Sequence, residues 1–394
     1  MLFNHRFITV LRILALSFFL GACAVTNEFQ VVEYQTETAS PLPPVSVFYK
    51  QPDTDFRRAC KAYAEASVMD HCTINRVNMS AVADALYESR LFEAVDYRNE
   101  DSEYQLLVSS ATYNNESGED IGSAVVSGAT LMLAPMSIST IIKIEAALVW
   151  RGMLVERYQF EVPFTQRMSL LTMDQNTDAD LGKSIASHFL QKFQQDDIFS
   201  AEVLVGRLES SDYRKELVLP EQVGPFIKDD LYLYRHPFQG AQTRYVHDRF
   251  GFSYVDVFVY PIRQIHWESG DHILEKEVGN YRKDLELMEK ELMMNDLAFE
   301  ADSRELWHLG DGSQSVARVI SRFRDQEAAD MVSQMYLFHQ KDKFIKVRAT
   351  YESELETKPD VEGFVRELSA SILVPDESLF MAKIRKRWRE NDVQ

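Results

Sequence analysis

The chain has 394 residues with 42 basic and 61 acidic side chains, a formal charge of −19. That balance argues against nucleic acid as a partner, since a basic footprint supplies most of such affinity, and against broad electrostatic docking on anionic headgroups. Hydrophobic residues make up 45% of the chain, enough for ordinary cores, and the length exceeds one usual domain and points to two.

The N-terminus reads in three parts. Met1 to Arg12 carries Arg6 and Arg12 and no acid, Ile13 to Leu20 is apolar, and the small residues Gly21 and Ala22 lead to Cys23. The uncharged run from Ile13 to Val25 makes about 20 Å of helix, short of the ~30 Å hydrocarbon core of a bilayer. The layout is that of a secretory signal, expected over residues 1–22 and cut away. "LGAC", Leu20 to Cys23, also resembles the lipobox of bacterial lipoproteins. The resemblance implies a diacylglyceryl group on the Cys23 sulfur, cleavage before that residue and acylation of the new amine. Three acyl chains, at about 0.8 kcal/mol per buried methylene, would hold a protein on a membrane nearly permanently. Ala24, rather than aspartate, resembles the outer-membrane address of enterobacteria-like lipoproteins, which places the folded part on the periplasmic side. Loss of the segment removes two arginines and no acid, so the mature chain is more acidic still.

Residues 23–44, polar with a Pro-rich end, read as a lipidated tether. Cys60 and Cys72 are the remaining cysteines. An exported chain meets an oxidising compartment, so a Cys60–Cys72 disulfide is expected, with two buried free thiols as the alternative. The pair lacks the C-x-x-C units of a zinc site.

An N-terminal α/β domain is expected over 45–205. "VSVFY" is strand-like, and Asp53 or Thr54 can cap an Ala-rich helix after it. A second helix, capped by Asn78 or Ser80 and with Val82, Leu86 and Tyr87 on one face, runs into a strand. "SEYQLLVSSATY" follows as a strand with Tyr104, Leu106 and Val108 on one side. The run "ADALYESRLFEAVDYRNEDSEYQLLVSSATY", Ala83 to Tyr113, resembles small periplasmic α/β lipoprotein domains. That resemblance implies a scaffold role in envelope assembly or secretion and transfers no functional residues.

"IGSAVVSGATLMLAPMSISTII", Ile121 to Ile142, is uncharged, but its serines, threonines, glycines and Pro135 argue against a membrane span. It reads as a buried hairpin arm or as a greasy contact through Leu131, Leu133 and Met136. From Ile142, apolar and polar residues alternate to Trp150, "RG" turns the chain, and "MLVERYQFEV" returns. Leu181, Ile185, Phe189 and Phe193 then mark a helix. Its "GKS", Gly182 to Ser184, tempts a nucleotide reading, but a P-loop needs a glycine five residues earlier, where Thr177 stands, and a strand feeding it.

Residues 206–226, charged and rich in turn signals, are the expected linker, and a C-terminal α+β domain is expected over 227–394. "DLYLYRH" and "GFSYVDVFVYPI" are strands whose Tyr232, Tyr234, Tyr254 and Tyr260 read as packing before they read as a sugar-stacking row. A long helix follows with Leu285, Met288, Leu292 and Leu297 on its stripe. Ser303 to Asp325 gives strands about "GDGS", then comes a hairpin turning at "QKDK" and a closing helix over "DVEGFVRELSASILVP". The "FIKVRATY" strand before a closing helix resembles the sheet-plus-helix core of the extrinsic photosystem PsbP family, an architectural likeness that does not carry function. The basic run "KIRKRWRE", Lys383 to Glu390, reads as a frayed helix end whose cations suit the negative pole of the helix.

Chemistry has one constellation, "HWESGDHILEKE". His272 and Glu275 at i, i+3 share a helix face and, with His266 or Glu268, offer weak metal ligands. The spacing matches no zincin motif, Asp271 suits a helix start, and no G-x-S-x-G elbow is present. No cofactor is expected. The sequence therefore predicts an α+β protein of two α/β-type domains, each an antiparallel or mixed sheet packed by helices. It predicts a non-catalytic, membrane-anchored scaffold or adaptor with an envelope protein partner. The rivals are an anchored metal-dependent hydrolase on His266–Glu275 and a lipid- or glycan-binding module on the 121–142 arm.

Overall fold

The computed structural model of the protein describes residues 28–38, 40–66, 70–75, 77–115, 136–168, 177–249, 254–265, 270–300, 302–309, 312–356 and 358–392. The chain is α+β and divides into two units, Met1–Ile198 and Phe199–Gln394.

The first unit runs β1 (Glu28–Phe29), β2 (Val45–Tyr49), α1 (Thr54–Ala66), β3 (Asp70–Ile74), α2 (Met79–Glu88), β4 (Val95–Tyr97), β5 (Tyr104–Asn115), β6 (Met136–Trp150), β7 (Met153–Met168) and α3 (Thr177–Gln195). Its mixed sheet has the order β1-β7-β6-β5-β2-β4, with β3 also on β5. The long β5 shares one edge between two partners, β2 in parallel over its first half and β3 antiparallel over its second. Alternation buries Tyr104, Leu106 and Val108 as expected. Strands β6 and β7 meet at Arg151 and Gly152, both with positive φ (45° and 76°), the two-residue geometry that matches strand twist. Asp53 caps α1, accepting a hydrogen bond from Phe56 N at 2.9 Å, and Asn78 caps α2. Val82 and Leu86 are buried on α2, but Tyr87 is exposed. At 100° per residue it stands a quarter turn beyond Leu86, off the apolar stripe.

One expectation changes here. The tether is not free chain over its described part. Phe29 pairs with Phe164, Ser184 Oγ donates to Gln30 O, Val32 N donates to Ser187 Oγ at 3.1 Å, and Gln35 N donates to Gln194 Oε1 at 2.8 Å. Leu42 N donates to Leu91 O at 2.7 Å. Residues 28–35 are thus a strap lying along β7 and α3, because α3 presents serine and glutamine side chains to an otherwise unpaired backbone. The "GKS" glycine has a packing role: a Cβ at Gly182 would lie 2.6 Å from Ala81 O, so α2 and α3 touch only because it has no side chain.

The second unit runs α4 (Ala201–Leu208), α5 (Tyr213–Glu216), β8 (Gln222–Val223), β9 (Phe226–Leu233), β10 (Ala241–His247), β11 (Tyr254–Pro261), α6 (Gly270–Lys290), β12 (Asn295–Phe299), β13 (Ser303–Leu309), β14 (Gly312–Arg324), β15 (Asp330–Gln340), β16 (Lys343–Glu352), α7 (Val361–Ser371) and α8 (Leu379–Asp392). Its antiparallel sheet is ordered β12-β14-β15-β16-β11-β10-β9-β8, with β13 on β14. One face buries Val255, Val257, Val259, Ile345 and Val347 against α7. On the other face α6 brings Ile273, Leu274, Val278, Tyr281 and Leu285 onto Ala317, Val319, Met335 and Leu337.

Three sequence expectations are corrected in this unit. The stretch 206–226 is no linker: it carries α5, β8 and the buried Leu208, Tyr213, Leu217 and Val223. Its burial comes from scattered side chains that have no period to detect. The long helix stops at Lys290, and Leu292, in left-handed backbone at φ 59°, is exposed while Leu297 lies in the edge strand β12. The basic run is no frayed end. Arg385 is buried with Ile384, and its guanidinium donates to Ile262 O at 2.7 Å, Gln264 O at 3.2 Å and Asp342 Oδ2 at 3.2 Å. Asp342 also accepts from the buried Lys343. Desolvation holds the Lys343 ammonium below its usual pKa, against the pull of Asp342.

Candidate functional site

Residues that pair across neighbouring strands share a face of the sheet. The register aligns Tyr232, Gln242, Phe258 and Lys346 in one row across β9, β10, β11 and β16, and Arg244, Asp256 and Arg348 in the next. Tyr234, two residues beyond Tyr232, and Tyr254, two before Asp256, extend the same face. This is the face that α6 covers at the β14–β15 side. Over β9 and β10 it is open: the side chains of Arg244 and Arg348 are 45% and 36% exposed and Tyr232 is 60% exposed.

The open half is rigidly built. Asp256, 3% exposed at its side chain, accepts from Arg244 Nε on Oδ1 at 2.8 Å and from Nη2 on Oδ2 at 3.3 Å, and Arg348 Nη2 lies 3.6 Å from the same Oδ2. The Arg244 guanidinium also sits 3.9 Å from the centre of the Tyr254 ring, so a paired carboxylate and an aromatic face fix its plane. The hydrogen bond to Asp256 raises the Arg244 pKa, so its charge is permanent. Tyr234 OH donates to Gln242 Oε1 at 2.5 Å, and the Tyr232 and Tyr234 rings meet edge to face at 5.0 Å. Further in, Lys346 Nζ lies 4.8, 5.4 and 5.8 Å from the rings of Phe258, Tyr260 and Tyr281. Burial, then the Arg348 charge, lowers its pKa. Tyr260 OH donates to Glu277 Oε1 of α6 at 2.8 Å.

Rigid tyrosines and fixed guanidinium groups are the side chains enriched at the energetic centres of interfaces. The arrangement suits recognition of a surface that brings carboxylates and apolar area together. Of the four tyrosines read from the sequence, Tyr260 is core and Tyr232, Tyr234 and Tyr254 belong to the open half. Arg244, Asp256 and Arg348 carried no sequence signal beyond their alternation, because their meeting depends on which strands become neighbours.

The other sequence candidates fall as follows. Cys60 of α1 is bonded to Cys72 of β3, with Cα atoms 5.4 Å apart. Cys23, His266, Glu268, Leu131 and Leu133 lie outside the described residues, and Met136 begins β6 with its side chain outside them. His272 and Glu275 are exposed on α6, Glu275 lying 3.5 Å from Arg304, and Asp271 stands in the first helical turn. Among the described residues no group of three or more His, Cys, Asp or Glu side chains is placed to hold a metal. Among them, too, no helix is long and apolar enough to cross a membrane.

No protein-family model matches the chain, and no curated protein matches it. It is similar to a solved structure, the solution structure of cyanobacterial PsbP (CyanoP) from Synechocystis sp. PCC 6803. Identity is 14%, the match covers 42% of this chain and 89% of that one, and the TM-score is 0.26. PsbP is the family that the "FIKVRATY" strand resembles, but a likeness of this size carries no argument about function.

Proposed function

We propose that the chain is a non-catalytic adaptor lipoprotein, held on the periplasmic side of the bacterial outer membrane by acyl chains on Cys23. It docks an envelope protein on the open half of the second sheet. The observation that carries the reading is the Tyr232–Arg244–Tyr254–Arg348 face, where buried Asp256 holds two guanidinium groups in place beside the exposed Tyr232 ring and the half-buried Tyr254 ring. Such a face suits recognition, because its one carboxylate, Asp256, is buried and taken up by the two guanidinium groups. Confinement to a surface raises the effective concentration of the face for a neighbour on that surface, which is how an anchor helps an adaptor of modest affinity.

The test is crosslinking in intact cells from a photoreactive residue at Tyr232, with partner identification by mass spectrometry. Arg244→Lys combined with Tyr254→Ala, which keeps a cation beside the buried Asp256 carboxylate, is expected to remove the adduct and to weaken the isolated complex roughly 30-fold or more, as hot-spot truncations of about 2 kcal/mol or more do. The melting temperature should stay within a few degrees of the parent. An adduct that persists in the double variant would refute the docking face. Radiolabelled palmitate failing to enter the protein would refute the anchor.

A further inference from the structure

The strap sets how far the first unit stands from its anchor. Glu28 pairs with Thr165 and Phe29 with Phe164, and beyond them Ser184, Ser187 and Gln194 of α3 hold the backbone of residues 30–35. Only five residue steps separate Cys23 from Glu28. At the 3.3–3.6 Å that a fully extended chain covers per residue, they span at most about 18 Å whatever their conformation.

Where the strap begins, the surface is apolar. Phe29, Tyr63, Tyr113, Ile141, Pro163 and Phe164 line an open groove of about 460 Å³. Tyr63 meets Tyr113 edge to face at 4.9 Å on the face of the sheet that the register gives to Tyr113, Ile141 and Pro163, while the stacked rings of Phe29 and Phe164 belong to the opposite face. Ile141 is 38% exposed. Gln30, Ser139, Thr140 and Thr165 supply a polar border. Among the described residues that line the groove none is charged, and Lys143, over the Tyr113 ring, lies 3.0 Å from Glu161. Aromatic rings beside polar side chains are the composition that settles at the boundary between headgroups and acyl chains.

We propose that this groove is the membrane-contact face of the first unit and seats the glycerol and upper acyl region of phospholipids in the leaflet that holds Cys23. The inference rests on the anchor reading above. Attachment of one end within about 18 Å leaves few orientations, and the apolar groove beside that end selects the one that turns it to the bilayer. The first unit is then docked flat, with a defined side toward the lipid, and does not swing on a long leash.

The test uses the lipidated full-length protein in phosphatidylethanolamine–phosphatidylglycerol vesicles carrying brominated acyl chains. Tryptophan is introduced as Ile141→Trp or, as control, Leu154→Trp. Leu154 is also exposed and pairs with Val149 on the same hairpin, eight residues or roughly 27 Å along β6 from Ile141. After subtraction of the parent signal, the residue at 141 is expected to be quenched at least twofold more than that at 154. Equal quenching overturns the inference. So does a concentration-dependent dimer in detergent that Pro163→Asp abolishes, which would give the groove to a second copy. Mass analysis of the N-terminal peptide from the same preparation separates the failures: an unacylated Cys23 removes the anchor and this inference together, whereas an acylated Cys23 with an unquenched tryptophan removes the groove alone.

Discussion

At Gly182 a hydrogen is the largest side chain that the contact with α2 tolerates. An alanine Cβ there would stand 2.6, 2.7 and 2.9 Å from Ala81 O, C and Cβ, and two of those are backbone atoms that move only with the whole helix. The helix propensity gained by Gly182→Ala, about 1 kcal/mol, opposes an overpacking cost of about 1–3 kcal/mol. Rigid backbone on the receiving side puts the cost at the upper end, so a net loss of about 1–2 kcal/mol is expected in urea denaturation. An unchanged midpoint would show that α2 and α3 separate without penalty. Ser184, two residues on, holds the strap. A tripeptide that resembles half of a nucleotide motif is thus explained by a helix crossing and a backbone clasp.

Among the elements, α1 and α8 are secured by different devices. Helix α1 has only Phe56 and Cys60 fully buried, and the Cys60–Cys72 bond ties it to the end of β5 through β3. Tyr113 and the half-buried Tyr63 pack around that bond. Closing a loop of this size stabilises by roughly 3 kcal/mol in the chain-entropy account. Cys60→Ser with Cys72→Ser should therefore lower stability by about that amount and raise amide exchange first in α1 and β3. A melting curve that dithiothreitol and the double variant both leave unchanged would contradict this. Helix α8 is held instead by charge. Arg385 reaches from it to Asp342 in the β15–β16 turn, to Glu377, and to the carbonyls of Ile262 and Gln264 after β11. Phe380 packs against Phe238 at 5.4 Å.

For the whole molecule, two units with separate cores imply two unfolding events. Calorimetry should resolve two transitions, and the variants should divide between them. The cysteine pair should move one transition. Asp342→Ala, which leaves the buried Lys343 and Arg385 without their shared carboxylate, should move the other by about 3–5 kcal/mol. A single transition shifted by both changes would show that the two cores melt as one.

Much of the local structure was legible from the residues alone. Period-two alternation located β5 and β6, the turn at Gln340–Lys343 placed β15 and β16, caps at Asp53 and Asn78 began α1 and α2, and the expectation of an oxidising compartment predicted the Cys60–Cys72 bond that the structure holds. Each of these elements is set by neighbours in sequence. Where the stretch had no period, as in 206–226, or a period that ran past a left-handed residue, as at Leu292, the reading failed. Burial there is decided by side chains arriving from elsewhere. The candidate face shows the same divide. Tyr232, Tyr234 and Tyr254 were visible as a strand pattern, but their union with Arg244, Asp256 and Arg348 required the order β9-β10-β11-β16 and its register. Likewise Arg385 reads as one more cation in a basic run, and only packing makes it the centre of a buried ion network. The sequence by itself determined the elements and their polarity, because those depend on residues a few positions apart. The tertiary structure decided which faces are open and which charges are buried, because both depend on residues that the chain brings together from a hundred or more positions away.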